Sequence, residues 1–250
     1  MSKRYFLFIM SFIMLFSCAG LVISAPAITE QELKDKIEQA SKNLKDISMV
    51  GNVTYQNKKA LAKVDSNYAR LYEFKTANVA YKLPDKLRIE GKLGMVKFEY
   101  IINGGIKLFR APTLRMNKKE DYSKDPAKLQ NALDLALLTP TLWQDRKIEI
   151  VEDAEACSNG EIKLCLRWPK GDMAYYVWID AQNLWLKKLE KRDGQNNLRL
   201  KVLYSNPQKV GDVIWMPTKV ELYSSEGEKA GVSEYSNIKV NTGLADSLFD

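Results

Sequence analysis

The fold is decided by a stretch in the first half of the chain, residues 86–109, which reads KLRIEGKLGMVKFEYIINGGIKLF. Apolar and polar residues alternate over 86–92 and again over 97–102, which predicts β-strands with one buried face. Asn103-Gly104-Gly105 is a turn signal, and residues 106–109 follow as another strand. Since parallel neighbours need a long crossover, connections this short predict an antiparallel meander.

Similar alternation extends over most of the chain, from residue 49 to residue 102 and from residue 148 to residue 239. Glycine turns such as Asn159-Gly160 and Asp193-Gly194 separate these segments. We count about a dozen candidate strands, with no linker of Pro, Ser and Gly between them. One domain spanning residues 28–250 is therefore expected.

Two segments carry helical spacing instead. Thr29 and Glu32 form a capping-box pattern, and five apolar residues then recur on one face: Leu33, Ile37, Ala40, Leu44 and Ile47. A leucine-rich stretch that begins at Ser123 and ends at Thr139-Pro140 predicts a second helix, and Leu142 and Trp143 follow in a loop. This segment either plugs the sheet as core or covers an apolar cavity as a lid. The predicted fold class is mostly β with two helices (α+β), a curved antiparallel sheet.

The predicted sheet has many apolar residues at alternating positions, and only two predicted helices are there to cover them. They are Tyr72, Phe74, Leu87, Ile89, Phe98, Tyr100, Leu108, Tyr176, Trp178, Leu186, Leu200 and Val202. Curved antiparallel sheets often enclose apolar ligands. The alternation alone leaves two options open, a solid core or a ligand cavity.

The first 27 residues predict export from the cytoplasm. Lys3 and Arg4 precede an apolar run over residues 5–16, and Ala25-Pro26-Ala27 ends a stretch of small residues, as in a secretory signal. We expect cleavage after Ala27, because a cut after Ala25 would place proline directly downstream. The mature chain is then expected in the periplasm.

Two alternatives remain for this segment. Leu15-Phe16-Ser17-Cys18 is similar to a lipobox, in which Cys18 would be acylated and become the new N-terminus. Residues 5–27 are uncharged and long enough to span a bilayer, which needs about 20 apolar residues. The segment is therefore a cleaved signal, a lipidation signal or an uncleaved anchor.

Composition excludes several kinds of chemistry. The net charge is +7, or +5 without Lys3 and Arg4, and the lysines are scattered rather than clustered as in a nucleic-acid site. The chain has no histidine, which removes the commonest general base and metal ligand. We find no catalytic or phosphate-binding motif. The sequence therefore predicts neither an enzyme, nor a metal site, nor a cofactor.

Two cysteines, Cys157 and Cys165, follow the apolar N-terminus. In an oxidising compartment they predict a disulfide. A two-residue turn at Asn159-Gly160 would leave Cys165 too far along its strand, so the bond requires a longer or bulged loop.

The order of segments resembles the outer-membrane lipoprotein-sorting family, the LolA/LolB-like carriers. Residues 79–88 (VAYKLPDKLR) are similar to the family's strand–proline–strand segment, and residues 102–109 (INGGIKLF) to its hairpin. The leucine-rich residues 129–140 stand where the family has its lid. Residues 178–184 (WIDAQNL) and 235–241 (YSNIKVN) are similar to its late strand and its ending. The resemblance covers nearly the whole mature chain, although no single motif is diagnostic.

The resemblance implies an incomplete barrel whose helical lid closes over an apolar interior that holds acyl chains. It implies a non-enzymatic, monomeric carrier of lipoproteins or lipids, with an inner-membrane exporter and an outer-membrane receptor as partners. The residues that we expect to line the interior are Leu33, Ile37, Leu44, Leu87, Ile89, Phe98, Tyr100, Leu133, Leu137, Trp143 and Trp178.

One position departs from the family pattern. Dedicated carriers often have arginine directly before the strand proline, where it holds the lid closed; this chain has Leu83 there, and Arg88 is close but not equivalent. Two other functions stay open, a membrane-anchored receptor or stress sensor on the same fold and, less favoured, a hydrolase of envelope lipids.

Overall fold

A computed structural model describes residues 28–64 and 72–250. Thirteen strands form one antiparallel sheet within these residues. They are β1 (Asp46–Gln56), β2 (Thr76–Lys82), β3 (Lys86–Leu93), β4 (Val96–Asn103), β5 (Ile106–Ala111), β6 (Met116–Asp121), β7 (Lys147–Ile150), β8 (Glu161–Arg167), β9 (Ala174–Asp180), β10 (Leu186–Arg192), β11 (Leu198–Val210), β12 (Ile214–Ser224) and β13 (Lys229–Val240).

The sheet consists of two meanders joined at their first and last strands. The order is β6-β5-β4-β3-β2-β1-β13-β12-β11-β10-β9-β8-β7. We call β1–β6 the N-terminal arm and β7–β13 the C-terminal arm; pairing of β1 with β13 connects them. Because β6 and β7 are separate edges, the sheet is not closed, and the predicted incomplete antiparallel barrel is confirmed.

Helix α1 (Glu30–Ser41) begins where the capping box predicts. The Glu32 amide donates to Thr29 Oγ1 at 3.2 Å, and the Thr29 amide donates to Glu32 Oε2 at 2.8 Å. The helix ends before Leu44, so the expected extension to Ile47 is wrong. Ile47 belongs to β1, and it is buried because the sheet packs around it, not because it lies on the buried face of a helix.

The second predicted helix is also wrong. Residues 126–143, which we call the plug, contain three short 3-10 segments: Pro126–Lys128, Ala132–Leu135 and Pro140–Trp143. Asn131 caps the middle segment by accepting from the Leu133 amide at 3.0 Å, and Ala136 ends it with a left-handed φ of 58°. The other described α-helices are short, α2 (Lys58–Leu61) and α3 (Ala154–Ser158).

The plug is irregular because its leucines pack into two separate cores. Leu133 and Leu138 enter the C-arm core, formed by the concave face of the C-terminal arm with α1 and α2. Leu135 and Leu137 enter the N-arm core, formed by β1–β4 with the β11–β12 turn. A regular helix would place residues 133 and 137 on the same side, since four residues complete about one turn.

The C-terminal tail covers the convex side of the N-terminal arm. Phe249 is fully buried, and the Arg88 guanidinium donates to the Leu248 carbonyl at 3.1 Å. At the root of the tail, Asp46 accepts from the amides of Thr242 at 2.8 Å and Gly243 at 3.0 Å. The tail is thereby fixed to the strand that joins the two arms.

The predicted disulfide is absent, because both thiols are free. Cys157 lies exposed in α3, whereas Cys165 is buried well inside β8, opposite Glu149 and Tyr176. Each residue of a strand adds about 3.3 Å, so the residues between the turn and Cys165 place its thiol away from Cys157, which lies beside the turn.

No helix within residues 28–64 and 72–250 has the length and apolar content that crossing a membrane requires. The proposed signal sequence and Cys18 lie outside the described residues.

Candidate functional site

An apolar cavity of about 350 Å³ lies on the concave face of the N-terminal arm. This volume falls within the range of small-molecule sites, roughly 300–1,000 Å³. Most of its wall is apolar and comes from Phe74, Ile89, Leu93, Phe98, Tyr100 and Phe109. The polar residues are fewer: Glu73, Lys107, Lys118, Glu120 and Gln130.

Three phenylalanines form the wall opposite the plug. The ring centroids of Phe74 and Phe98 lie 5.9 Å apart, and those of Phe98 and Phe109 5.7 Å. The register of β4 and β5 places Phe109 beside Tyr100, so both point to the same face. Gly91 leaves the space that Phe74 needs, because a Cβ at this position would lie 2.8 Å from the ring.

The cavity has a polar inner end. The Tyr100 hydroxyl donates to Gln130 of the plug, and burial raises the pKa of this tyrosine well above its usual value. Lys107 Nζ lies 5.4 Å from the centre of the Tyr100 ring and 3.9 Å from Glu120 Oε2. An apolar group in the cavity would therefore have a cation at one end.

Four apolar side chains are exposed at the end of the N-terminal arm where Leu93 lines the cavity, and we call them the rim. Leu93, the last residue of β3, is 47% exposed, and Met95, in the β3–β4 turn, is 96% exposed. Leu114 and Met116, at the β5–β6 connection, are 55% and 46% exposed. Both turns lie at the same end of an antiparallel meander, and exposed apolar side chains grouped in this way are typical of interaction surfaces.

Three of the predicted lining residues, Ile89, Phe98 and Tyr100, line this cavity. Seven others pack in or against the cores instead. Leu33, Ile37 and Leu133 belong to the C-arm core, and Leu44, Leu87 and Leu137 to the N-arm core. Trp143 packs against the C-arm core and donates from Nε1 to Glu30 of α1 at 3.1 Å.

The structure does not bring Trp178 to the cavity. Its neighbours in β9, Val177 and Ile179, enter the C-arm core, so Trp178 points to the convex face. Its ring lies between two lysines there, with Lys188 Nζ 3.5 Å and Lys163 Nζ 4.9 Å from the ring centre. The expected lining role is wrong because this strand carries apolar residues on both faces.

Sequence reasoning missed Phe109 as a lining residue and counted Leu108 among the alternating apolar positions. Two adjacent apolar residues leave the face of a strand undecided. The cross-strand partners decide it, because Leu108 pairs with Ile101 and Phe109 with Tyr100. Phe74 was one of the alternating residues, but nothing in the pattern placed it across from β4.

Leu83 stands where dedicated carriers often have arginine, and it lies apart from Arg88 in the structure. Leu83 packs against the N-arm core, and its amide donates to the Lys45 carbonyl at 3.0 Å. Arg88 lies on the convex face, where it pairs with Glu90 and Glu99 at 2.9 and 3.0 Å. Neither side chain is placed to hold the plug over the cavity.

Titratable groups in the described part of the chain do not form a metal site: no group of three His, Cys, Asp or Glu residues could hold an ion there.

The basic residues of β10 form ion pairs with acidic neighbours. Lys187 lies 2.6 Å from Glu161, and Arg192 2.7 Å from Glu190.

Known structures share this fold. No family model and no curated protein sequence matches the chain. A LolA superfamily protein from Nitrosomonas europaea superimposes with a TM-score of 0.59 at 13% identity, covering 90% of this chain and 98% of that one. A putative outer membrane lipoprotein-sorting protein domain from Vibrio parahaemolyticus gives 0.57 at 12% identity, covering 88% and 95%.

A third similar structure is a DUF1329 family protein from Desulfovibrio piger, with a TM-score of 0.50 at 14% identity, covering 88% of this chain and 95% of that one. These identities establish similarity of fold. The resemblance to lipoprotein-sorting proteins is confirmed at that level, and function must be argued from the site.

Proposed function

We propose that this protein is a non-enzymatic carrier that binds the acyl chains of lipoproteins or lipids. The observation that carries the proposal is the apolar cavity of about 350 Å³ on the N-terminal arm. An acyl chain needs no catalytic group to bind, because burial of each CH₂ contributes about 0.8 kcal/mol. The lipoprotein-sorting fold of the similar structures supports this ligand class.

The rim supports a transfer role. Leu93, Met95, Leu114 and Met116 give the outer end of the cavity an apolar edge. A chain passing between a membrane and the cavity would remain in contact with apolar side chains, which avoids exposing the whole chain to water. We therefore place loading and release at this end of the N-terminal arm.

Binding of a fluorescent fatty alcohol tests the carrier function with a neutral probe. We expect Phe109→Asp to abolish binding, because the substitution places a charge on the cavity wall. Leu108→Asp is the matched control, since the neighbouring residue is also half-buried but faces away. Equal binding by both variants would contradict the assignment of the cavity. Glutamate at Leu133 or Leu137 is a poorer test, because both leucines are core residues.

Native mass spectrometry of protein purified from its host provides an independent test. The carrier function predicts a bound lipid that leaves the protein on collisional activation. Ligand-free wild-type protein that also fails to take up the fluorescent alcohol would refute the proposal.

The location of the carrier is proposed from the first 27 residues. A periplasmic, soluble carrier begins at Ile28 after cleavage, whereas acylation at Cys18 gives an anchored receptor on the same fold. Mass spectrometry of the mature N-terminus separates the two forms. We propose the soluble form, acting between membranes with an exporter and a receptor.

A further inference from the structure

A second cavity, of about 470 Å³, adjoins the apolar one. Lys107 and Gln130 line both, so the two spaces meet at the polar end of the first. Residues 127–131 of the plug line one side of the second cavity, and β8–β10 of the C-terminal arm contribute Leu166, Tyr175 and Leu189 to another. The second cavity is therefore the mouth between the two arms.

Basic residues dominate the charges around this mouth. Five of the lining residues are basic and one, Asp134, is acidic. The basic residues come from both arms, the plug and the adjoining loops: Lys107, Lys128, Arg146, Lys170 and Lys191. Like charges gathered around one cavity repel each other, and an anion bound among them removes this cost.

Aromatic rings position four of these cations. Arg146 stacks on Trp168 with 4.5 Å from its guanidinium carbon to the ring centre. Lys107 and Lys128 lie 5.6 and 5.7 Å from the centre of the Tyr122 ring, and Lys191 is 5.6 Å from that of Tyr175. A guanidinium stacked on a ring keeps its N–H edge available, and this edge matches the oxygens of a phosphate.

Some carboxylates moderate the positive charge without filling the cavity. Asp125 pairs with Lys128 at 2.9 Å, and Glu120 is 3.9 Å from Lys107. Burial lowers the pKa of Arg146, and the nearby Asp134 acts against this shift. The mouth thus remains rich in hydrogen-bond donors beside a cavity suited to an acyl chain.

Taking the acyl-binding function as its basis, we propose that the preferred ligand is an anionic phospholipid. Its chain occupies the apolar cavity, and its phosphate binds in the mouth beside Lys107 and Arg146. The proposal therefore names a ligand class, since a neutral lipid would add no negative charge to this mouth, in which basic residues outnumber acidic ones.

Competition against the bound fluorescent fatty alcohol tests the headgroup. We expect short-chain phosphatidylglycerol to displace it at least about tenfold better than phosphatidylcholine with the same chains, because only the former carries a net negative charge. The preference should weaken as salt is added. Inorganic phosphate alone should not displace the probe; displacement by phosphate would show a site for the free ion and overturn the lipid assignment.

Substitutions locate the preference. Arg146→Gln/Lys170→Gln changes two cations of the mouth that do not line the apolar cavity, so this variant should bind the fluorescent alcohol but lose most of the preference for phosphatidylglycerol. Lys187→Gln/Lys188→Gln removes the same charge from the convex groove on the other side of the sheet and should retain it. If the first variant fails to fold, Lys170→Gln, an exposed position at the mouth, should still lower the preference.

The outcomes separate this inference from the proposed function. Equal displacement by the two phospholipids, with alcohol binding intact, overturns the headgroup site and leaves the carrier function standing. Failure of the wild-type protein to bind both the alcohol and the phospholipids overturns both.

Discussion

The two arms of the sheet are covered in different ways. The C-terminal arm is filled on its concave side, where α1, α2 and the plug complete a continuous core. Its convex side carries Trp178 between lysines. The N-terminal arm is covered on its convex side by the C-terminal tail with its buried Phe249, and its outer concave side holds the apolar cavity.

This difference in covering shows how one sheet can contain both a packed core and a binding cavity. The covering segments reach the concave face of the C-terminal arm and the inner strands of the N-terminal arm. The face of β4 and β5 beyond Tyr100 is left without a solid cover, and the phenylalanines there border open space. Both arms thus contain a packed core, but the N-terminal arm leaves space for a ligand at β4 and β5.

The largest expected effect compares the same substitution in both arms. Leu186→Ala, in the C-arm core, should lower the free energy of unfolding by about 2–5 kcal/mol, because it leaves a void among packed neighbours. Leu93→Ala, at the rim, should change it by less than about 0.5 kcal/mol. Urea unfolding measures both, and equal losses would contradict the contrast between the arms.

Asp46 tests the connection between the arms and the tail. Asp46→Ala should cost about 1–3 kcal/mol, because the amides of Thr242 and Gly243 lose the buried Asp46 carboxylate as their acceptor. Hydrogen exchange should then increase along the tail more than in β8–β10. A uniform increase over the whole sheet would show that the tail is not a separate unit.

Gly91→Ala tests how closely Phe74 packs on the N-terminal arm. The added Cβ would lie 2.8 Å from the ring, so Phe74 must move. We expect a stability loss of about 1 kcal/mol, the low end for overpacking, together with weaker binding of the fluorescent alcohol. Gly160→Ala is the control for adding a methyl group, although its left-handed φ of 66° carries its own strain. Unchanged probe affinity in Gly91→Ala would exclude Phe74 from the binding wall.

The smallest effect is electrostatic and lies on the C-terminal arm. Hydrogen bonds, chiefly from Lys219 and then from Lys229, lower the pKa of Glu221 to about 2 from its ordinary 4.5. Because the folded pKa is depressed, this stabilisation is present above pH 4.5 and is lost as pH falls toward 2.

Glu221→Gln should therefore be less sensitive to acid between pH 4.5 and 2 than the wild type, measured by thermal unfolding. The effect is limited by solvent screening of the partly exposed lysines. Parallel pH profiles of the two proteins would show that these ion pairs contribute nothing.

Sequence patterns predicted the regular parts of the fold and failed where apolar residues are crowded. The alternation over residues 86–109 predicts β3, β4 and β5, and the capping box predicts the start of α1. Strand β6 was missed because it is polar and exposed at an edge of the sheet. The sequence of the plug predicts a helix wrongly, because leucines spaced every three to four residues give the same pattern whether they pack into one core or two.

The sequence by itself determined the antiparallel sheet, the first helix and the lack of histidine chemistry, because these follow from local spacing and composition. Only the tertiary structure decided that Phe109 faces the cavity and Trp178 does not, that Cys157 and Cys165 remain apart, and that basic residues from both arms surround one mouth. Each of these depends on which distant strands pair and in which register, and contacts of that kind have no local signature along the chain.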